Sequence, residues 1–240
     1  GAMAIMARFA YASGVDTTTL LALRFGIAAG ILVAMVLARG ERWPRGKTLA
    51  VLVALGALGY GGQAFTFFTA LTLAPAGLVA LLLYLYPALV AVLSASLLHE
   101  RLSAAKLSAL AVALVGTVAG SRLTARVPPQ AMATVVIAAA GAVFLVAALA
   151  RGPTWPRTPA GWLAVLGIAT ISTVAAIVLF FAGLERVGPT RAAVLSTVEP
   201  VCTVLLAAAL LGETIAPSQL VGGALILAAV VLLARAAPSG

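Results

Sequence analysis

The chain has 240 residues, of which 63% are apolar and only 9% charged, with a mean hydropathy of +1.18 and a formal net charge of +9. Soluble domains average roughly 45–50% apolar and 25% charged, so an ordinary globular domain is excluded and a polytopic membrane protein is implied. The 15 Lys and Arg are scattered in ones to fours at the ends of apolar segments, a pattern of loops and headgroup contacts rather than of nucleic-acid binding.

Residues 1–13 form a short apolar piece containing Arg8, too short to cross a bilayer. Apolar runs then follow near 17–38, 48–72, 76–98, 104–121, 129–150, 161–184, 189–211 and 217–235. Each is about 20 residues of Ala, Leu and Val, which marks helices, because membrane barrel strands alternate over about 10 residues. The 52 residues between Lys47 and Glu100 carry no formal charge, room for two crossings. Eight such helices consume nearly the whole chain, so its function lies within the bilayer. One cysteine, Cys202, and one histidine, His99, permit neither an internal disulfide nor a His/Cys metal cluster. Neither a metal nor a cofactor is expected. A Walker phosphate loop, a Ser-His or Cys-His pair, an Asp dyad and the HExxH zinc pattern are all missing, which argues against an ATP-driven pump and against an intramembrane enzyme.

The chain also repeats itself. Leu37-Ala38-Arg39-Gly40 and Trp43-Pro44-Arg45 recur as Leu149-Ala150-Arg151-Gly152 and Trp155-Pro156-Arg157, a shift of 112. The shift becomes 113 and holds without gaps for residues 50–122 against 163–235, where 16 of 73 pairs are identical. The telling matches are Phe67-Phe68 with Phe180-Phe181, Pro87 with Pro200, Glu100 with Glu213 and Arg122 with Arg235. Tandem duplication is a common build of membrane transporters. The units expected are residues 1–121, with the first helix truncated, and 122–240, with the equivalent helix missing.

Loop charges bear on orientation. Simple alternation of eight spans divides the loop Lys and Arg eight against five. One further crossing near residue 121 puts eleven of the thirteen on one side, leaving only Arg151 and Arg157 on the other, as the positive-inside rule asks. The expected fold is therefore all-α, with two inverted repeats, a ten-helix architecture and about eight full helices present.

Three sets of residues resemble a known family: Ala22-Leu23-Arg24-Phe25, Tyr84-Leu85-Tyr86-Pro87 leading to Leu97-Leu98-His99-Glu100-Arg101, and Val198-Glu199-Pro200 leading to Leu211-Gly212-Glu213. Their order and repeat spacing resemble the EamA-type transporters of the drug/metabolite transporter superfamily, over essentially the whole chain. The resemblance implies ten helices in two inverted five-helix repeats, cytoplasmic termini and export of amino acids or other small metabolites.

Polar groups inside spans are the candidate site, because an ionisable side chain there costs about 2.5–3.5 kcal/mol on insertion scales. Glu199 is expected about ten residues into its helix, near mid-membrane, as a carboxylate for an ammonium group or a proton. Arg24, about seven residues into its helix, is expected to pair with Glu199 or to hold a substrate carboxylate. Gln63, Thr66 and Thr69 recur on one helical face with Tyr60 one turn earlier, a polar path or an interhelical seam. Tyr84 and Tyr86 are the repeat equivalents of Thr197 and Glu199; Ser196 and Ser172 are further candidates. Pro87 and Pro200 are expected as hinges or kinks. Glu100 and Glu213, beside turns, are expected to cap a following helix or to pair with a nearby cation. Trp43, Trp155 and Trp162 are interface anchors.

The reading is a secondary transporter, an exporter of a small metabolite such as an amino acid, acting by alternating access. Its partners are a small-molecule substrate, protons and membrane lipid, without nucleic acid, as a monomer or homodimer. The bacterial cytoplasmic (inner) membrane is the expected location, with the C-terminus cytoplasmic. A lipid or drug flippase and a non-transporting scaffold are the alternatives.

Overall fold

The computed structural model describes residues 2–83, 127–196 and 198–215, the side chains of 187–198 excepted, together with positions 217, 220 and 224. All described elements are helices: α1 (Ala2–Ala12), α2 (Thr17–Ala38), α3 (Gly46–Leu73), α4 (Ala76–Leu83), α5 (Pro129–Arg151), α6 (Pro159–Ala169, Thr170–Ala175 and Ala176–Ser196) and α7 (Val198–Leu211). Four apolar stretches among the described residues have membrane-spanning length: α2, α3, α5 and residues Pro159–Arg186 of α6. At 1.5 Å per residue, the 22 residues of α2 reach about 33 Å, matching a hydrocarbon core of about 30 Å. Many large apolar side chains remain exposed on the outer face, among them Leu37, Leu58, Leu145, Leu149, Leu163 and Leu179, as contact with lipid requires.

The two repeats meet through α2 and α5, which pack most extensively of the described pairs. The shift of 112 carries α2 onto 129–150, so the partners are repeat equivalents. They run antiparallel. At one end Asp16 bonds Thr154, and at the other Arg39 donates to Gln130. Equivalent helices pointing in opposite directions make the repeats inverted. The face holding Arg39, Arg42, Arg45 and Lys47 lies opposite that holding Arg151 and Arg157, as the loop charges require. The segment where a further crossing is expected, near residue 121, lies outside the described residues.

Both repeats carry the same irregularity. A π-helical turn interrupts α3 at Leu55–Tyr60 and α6 at Thr170–Ala175, within two residues of positions related by the shift of 113. Such turns widen a helix by one residue and free backbone groups, and they concentrate at functional sites. The paired phenylalanines correspond as well: Phe67–Phe68 and Phe180–Phe181 both meet edge-on, at 5.7 and 5.9 Å.

α1 is short, as expected, yet its Ala4, Ile5, Ala7 and Ala10 are buried against the rest of the bundle, chiefly against α6. One sequence expectation changes. The break expected between 184 and 189 is helical backbone continuing to Ser196, because Gly188-Pro189 removes one hydrogen bond without ending the helix. Beyond position 197, which lies outside the described residues, helical backbone runs from Val198 to Leu211. A Cβ added at Gly26 or Gly30 would meet nothing within 4 Å among the described residues. Close approach occurs instead at Gly56 and Gly141. A Cβ on Gly141 would lie 3.2 Å from Phe25 Cβ.

The start of α2 is fixed by Asp16. Its carboxylate accepts from the backbone N–H of Thr18 (2.7 Å) and Thr19 (2.9 Å), and from the hydroxyls of Thr19 (2.7 Å) and Thr154. Partial burial opposes ionisation, but these bonds outweigh it and hold the Asp16 carboxyl down at about 2, below its ordinary 3.8. The carboxyl is lowered in the folded state, so its stabilisation is present above pH 3.8 and lost as pH falls through about 2. At pH 6, Asp16→Ala is expected to cost about 1 kcal/mol, a capping value already allowing for solvent screening. Thermal unfolding of wild type and variant should converge on acidification from pH 4 towards 2; a gap that widens would contradict this cap.

Candidate functional site

Among the described residues the buried charge is Arg24, 4% exposed and seven residues into α2, about 10 Å along the axis. Its Nε donates to Thr173 Oγ1 at 3.0 Å and its Nη2 to the Tyr60 hydroxyl at 3.1 Å. Tyr60 and Thr173 are repeat equivalents under the shift of 113, each within its own π-helical turn. A single arginine therefore bridges the same position of both inverted repeats. The shift of 112 carries Arg24 itself onto Val136, so the arrangement is symmetric in its acceptors and asymmetric in its charge.

The irregular backbone supports this geometry. Thr173 Oγ1 donates to Ile168 O at 2.9 Å, five residues back, anchoring the hydroxyl while it accepts from Arg24. Aromatic rings flank Arg24. The guanidinium carbon lies 4.6 Å from the Phe25 ring centroid and 5.1 Å from that of Phe68, distances at which ring faces attract a cation. Phe25 in turn contacts Tyr60 at 5.5 Å and Phe144 at 5.8 Å. These partners are neutral acceptors and π faces. They orient a positive charge without neutralising it, which is the chemistry needed to attract an anion into a low-dielectric interior.

The other predicted residues are distributed differently. Gln63 and Thr66 are exposed and line, with Phe67, Ala70, Val79 and Leu83, a cleft of about 330 Å³ between α3 and α4. The Thr66 hydroxyl donates to Gly62 O and Gln63 O of its own helix, at 3.1 and 2.9 Å. Glu199 is exposed in α7, two residues after position 197, which lies outside the described residues. Pro200 beside it is buried. Glu199 O accepts from Thr203 Oγ1 at 3.0 Å. Ser172 is half-buried in the π-helical turn. Tyr84, Tyr86 and Pro87 lie outside the described residues, as does the side chain of Ser196.

Sequence reasoning placed Arg24 and Tyr60 and missed Thr173. The signal was available: the repeat register pairs Tyr60 with Thr173, and a hydroxyl at both positions is the pattern an axial donor needs.

The EamA-like transporter family matches the chain twice, over residues 1–119 and 107–235. An uncharacterized transporter of Archaeoglobus fulgidus is 39% identical over 74 residues, 31% of this chain and 27% of that protein. The uncharacterized transporter YwfM of Bacillus subtilis is 33% identical over 116 residues, 45% of this chain and 37% of that protein. The matched segments thus span between a quarter and two fifths of these relatives. A crystal structure of another protein, 28% identical, superposes with a TM-score of 0.60 over 97% of this chain and 96% of that one.

Proposed function

The chain belongs to the EamA-like transporter family and is an integral membrane protein, and from that premise we propose that it is a secondary active transporter exporting a small metabolite, such as an amino acid or related compound. The observation that carries this reading is Arg24, buried inside a span and bonded to equivalent hydroxyls of two inverted repeats. A group shared by both halves near the middle of the bundle is where alternating access puts a substrate, since rocking of one repeat against the other leaves the axis in place. The π-helical turns beside it are where the helices have an irregular backbone.

In this proposal Arg24 draws the anionic part of the substrate, Tyr60 and Thr173 orient the guanidinium, and Glu199 takes an ammonium group or a proton on entry. Gln63, Thr66, Tyr84, Tyr86 and Ser196 line the route, and Pro87 and Pro200 shape the helices around it. The bacterial cytoplasmic membrane is the proposed location, with the basic loops and the C-terminus on the cytoplasmic side, as the positive-inside rule directs.

A screen of amino acids and related metabolites on purified protein, by thermal shift and by uptake into proteoliposomes, tests the reading. At least one compound is expected both to raise the melting temperature and to exchange across the membrane, because a ligand of the folded state stabilises it. Phospholipid scrambling without movement of any water-soluble solute would contradict it.

A further inference from the structure

The first turn of α4 has a problem that its own sequence does not solve. Helix N-termini leave backbone N–H groups without helical partners, and Ala74-Pro75-Ala76-Gly77 offers no side-chain acceptor to cap them. The acceptor comes from the other repeat. Glu213 Oε1 accepts from Ala76 N–H at 2.7 Å and Oε2 from Gly77 N–H at 3.1 Å, across 137 and 136 residues of sequence. Arg8 of α1 joins this point, with Nη2 donating to Ala74 O at 2.7 Å and lying 3.9 Å from Glu213 Oε1.

Local backbone explains the reach. α7 ends at Leu211, and Gly212 takes a positive φ of 66°, the usual conformation after a helix C-terminus. The next residue is thereby turned back, with Glu213 N–H donating to Ala207 O at 3.3 Å, and its side chain is free to reach α4. The two helices are already close: a Cβ on Gly77 would lie 3.6 Å from Val204 Cγ2 of α7.

We propose that Glu213 is a gate residue, its carboxylate latching α4 of the first repeat to α7 of the second and releasing the α4 N-terminus when that face opens. This rests on the alternating-access reading. The face concerned is that of Asp16 and Thr154, because the chain leaves Asp16, crosses once in α2 and returns in α3 to reach Ala76. The chemistry suits a contact that is made and broken. The side chains of Glu213 and Arg8 are 19% and 32% exposed, so water replaces each partner on release, and a hydrogen bond exchanged for one to water has little net cost. Arg24, sealed among rings, has no such replacement.

Accessibility tests the gate without any substrate, so its outcome is independent of whether transport is found. In a Cys202→Ser background, which removes an exposed thiol, Ala80→Cys places a reporter one turn further along α4 at a position 5% exposed. Its rate of modification by a membrane-impermeant maleimide, on purified protein, is compared for Glu213, Glu213→Gln and Glu213→Ala. Removing the carboxylate is expected to raise the rate about tenfold, the scale of losing a charged helix cap. Glutamine, which keeps one acceptor oxygen, is expected to give an intermediate rate. A second reporter, Ala28→Cys, fully buried in α2, is expected to stay unchanged. Equal rates at Ala80→Cys in all three backgrounds would overturn the gate, and so would an equal rise at Ala28→Cys, which would mean general loosening.

Discussion

Replacing Gly56 with valine is expected to destabilise the protein by about 3 kcal/mol or more, at the upper end of overpacking effects. Gly56 lies in the π-helical turn of α3, where that helix runs against α5. A Cβ there would collide with Val136 O and lie 2.8 Å from Val136 Cα and 2.9 Å from Ala139 Cβ. Two of these three atoms are backbone and the third is bound directly to it, so no rotamer change relieves the contact and the helices must separate. Val136 occupies the position equivalent to Arg24, so separation there also loosens the junction of the repeats. Thermal unfolding in detergent checks this: Gly56→Val should melt well below wild type, and Gly26→Val, where an added Cβ has nothing within 4 Å among the described residues, should melt close to it.

Arg24→Met is expected to leave the melting temperature unchanged or to raise it, while transport falls at least tenfold. Burying a guanidinium costs several kcal/mol in desolvation, and its neutral acceptors recover only part of that. Methionine fills a similar volume without the charge. Of the groups left behind, Thr173 retains its bond to Ile168 O, and one hydroxyl, that of Tyr60, must find another partner. Lost transport follows from the bonds to a charged group, each worth about 1.5–3 kcal/mol, roughly tenfold to a hundredfold in affinity. A residue retained for function at the expense of stability behaves this way. A melting temperature many degrees below wild type would instead make Arg24 a structural strut.

The fold was largely legible in the sequence because the membrane imposes its own length scale. The bounds of α2 and α5 agree with the apolar runs 17–38 and 129–150 to within one residue. The inversion was legible through charge: Arg151 and Arg157 as the minority face required equivalent helices to point in opposite directions, and the Asp16–Thr154 and Arg39–Gln130 contacts show them doing so. The two π-helical turns left no mark, since a single extra residue in a helical turn changes neither composition nor apolar length. The helix across Gly188-Pro189 was missed for the opposite reason. Residues that usually punctuate were given more weight than the continuous backbone bonding on either side. For the site, Arg24 and Tyr60 were found because polarity inside a span is costly and therefore conspicuous. Thr173 was not, because a threonine in a membrane helix costs little and bonds its own backbone. Glu213 was recognised as a cap, but not of which helix: it closes α4 of the other repeat, a long-range pairing that no local signal carries.

The central claim is that two inverted repeats move a small anionic or zwitterionic metabolite past a shared arginine. Counterflow in proteoliposomes tests it most directly, with wild type and Arg24→Met reconstituted at equal density and loaded with a compound selected by the thermal-shift screen. The account predicts exchange above protein-free liposomes for wild type and a loss of at least tenfold for Arg24→Met at unchanged thermal stability. Exchange by Arg24→Met at the wild-type rate would contradict it.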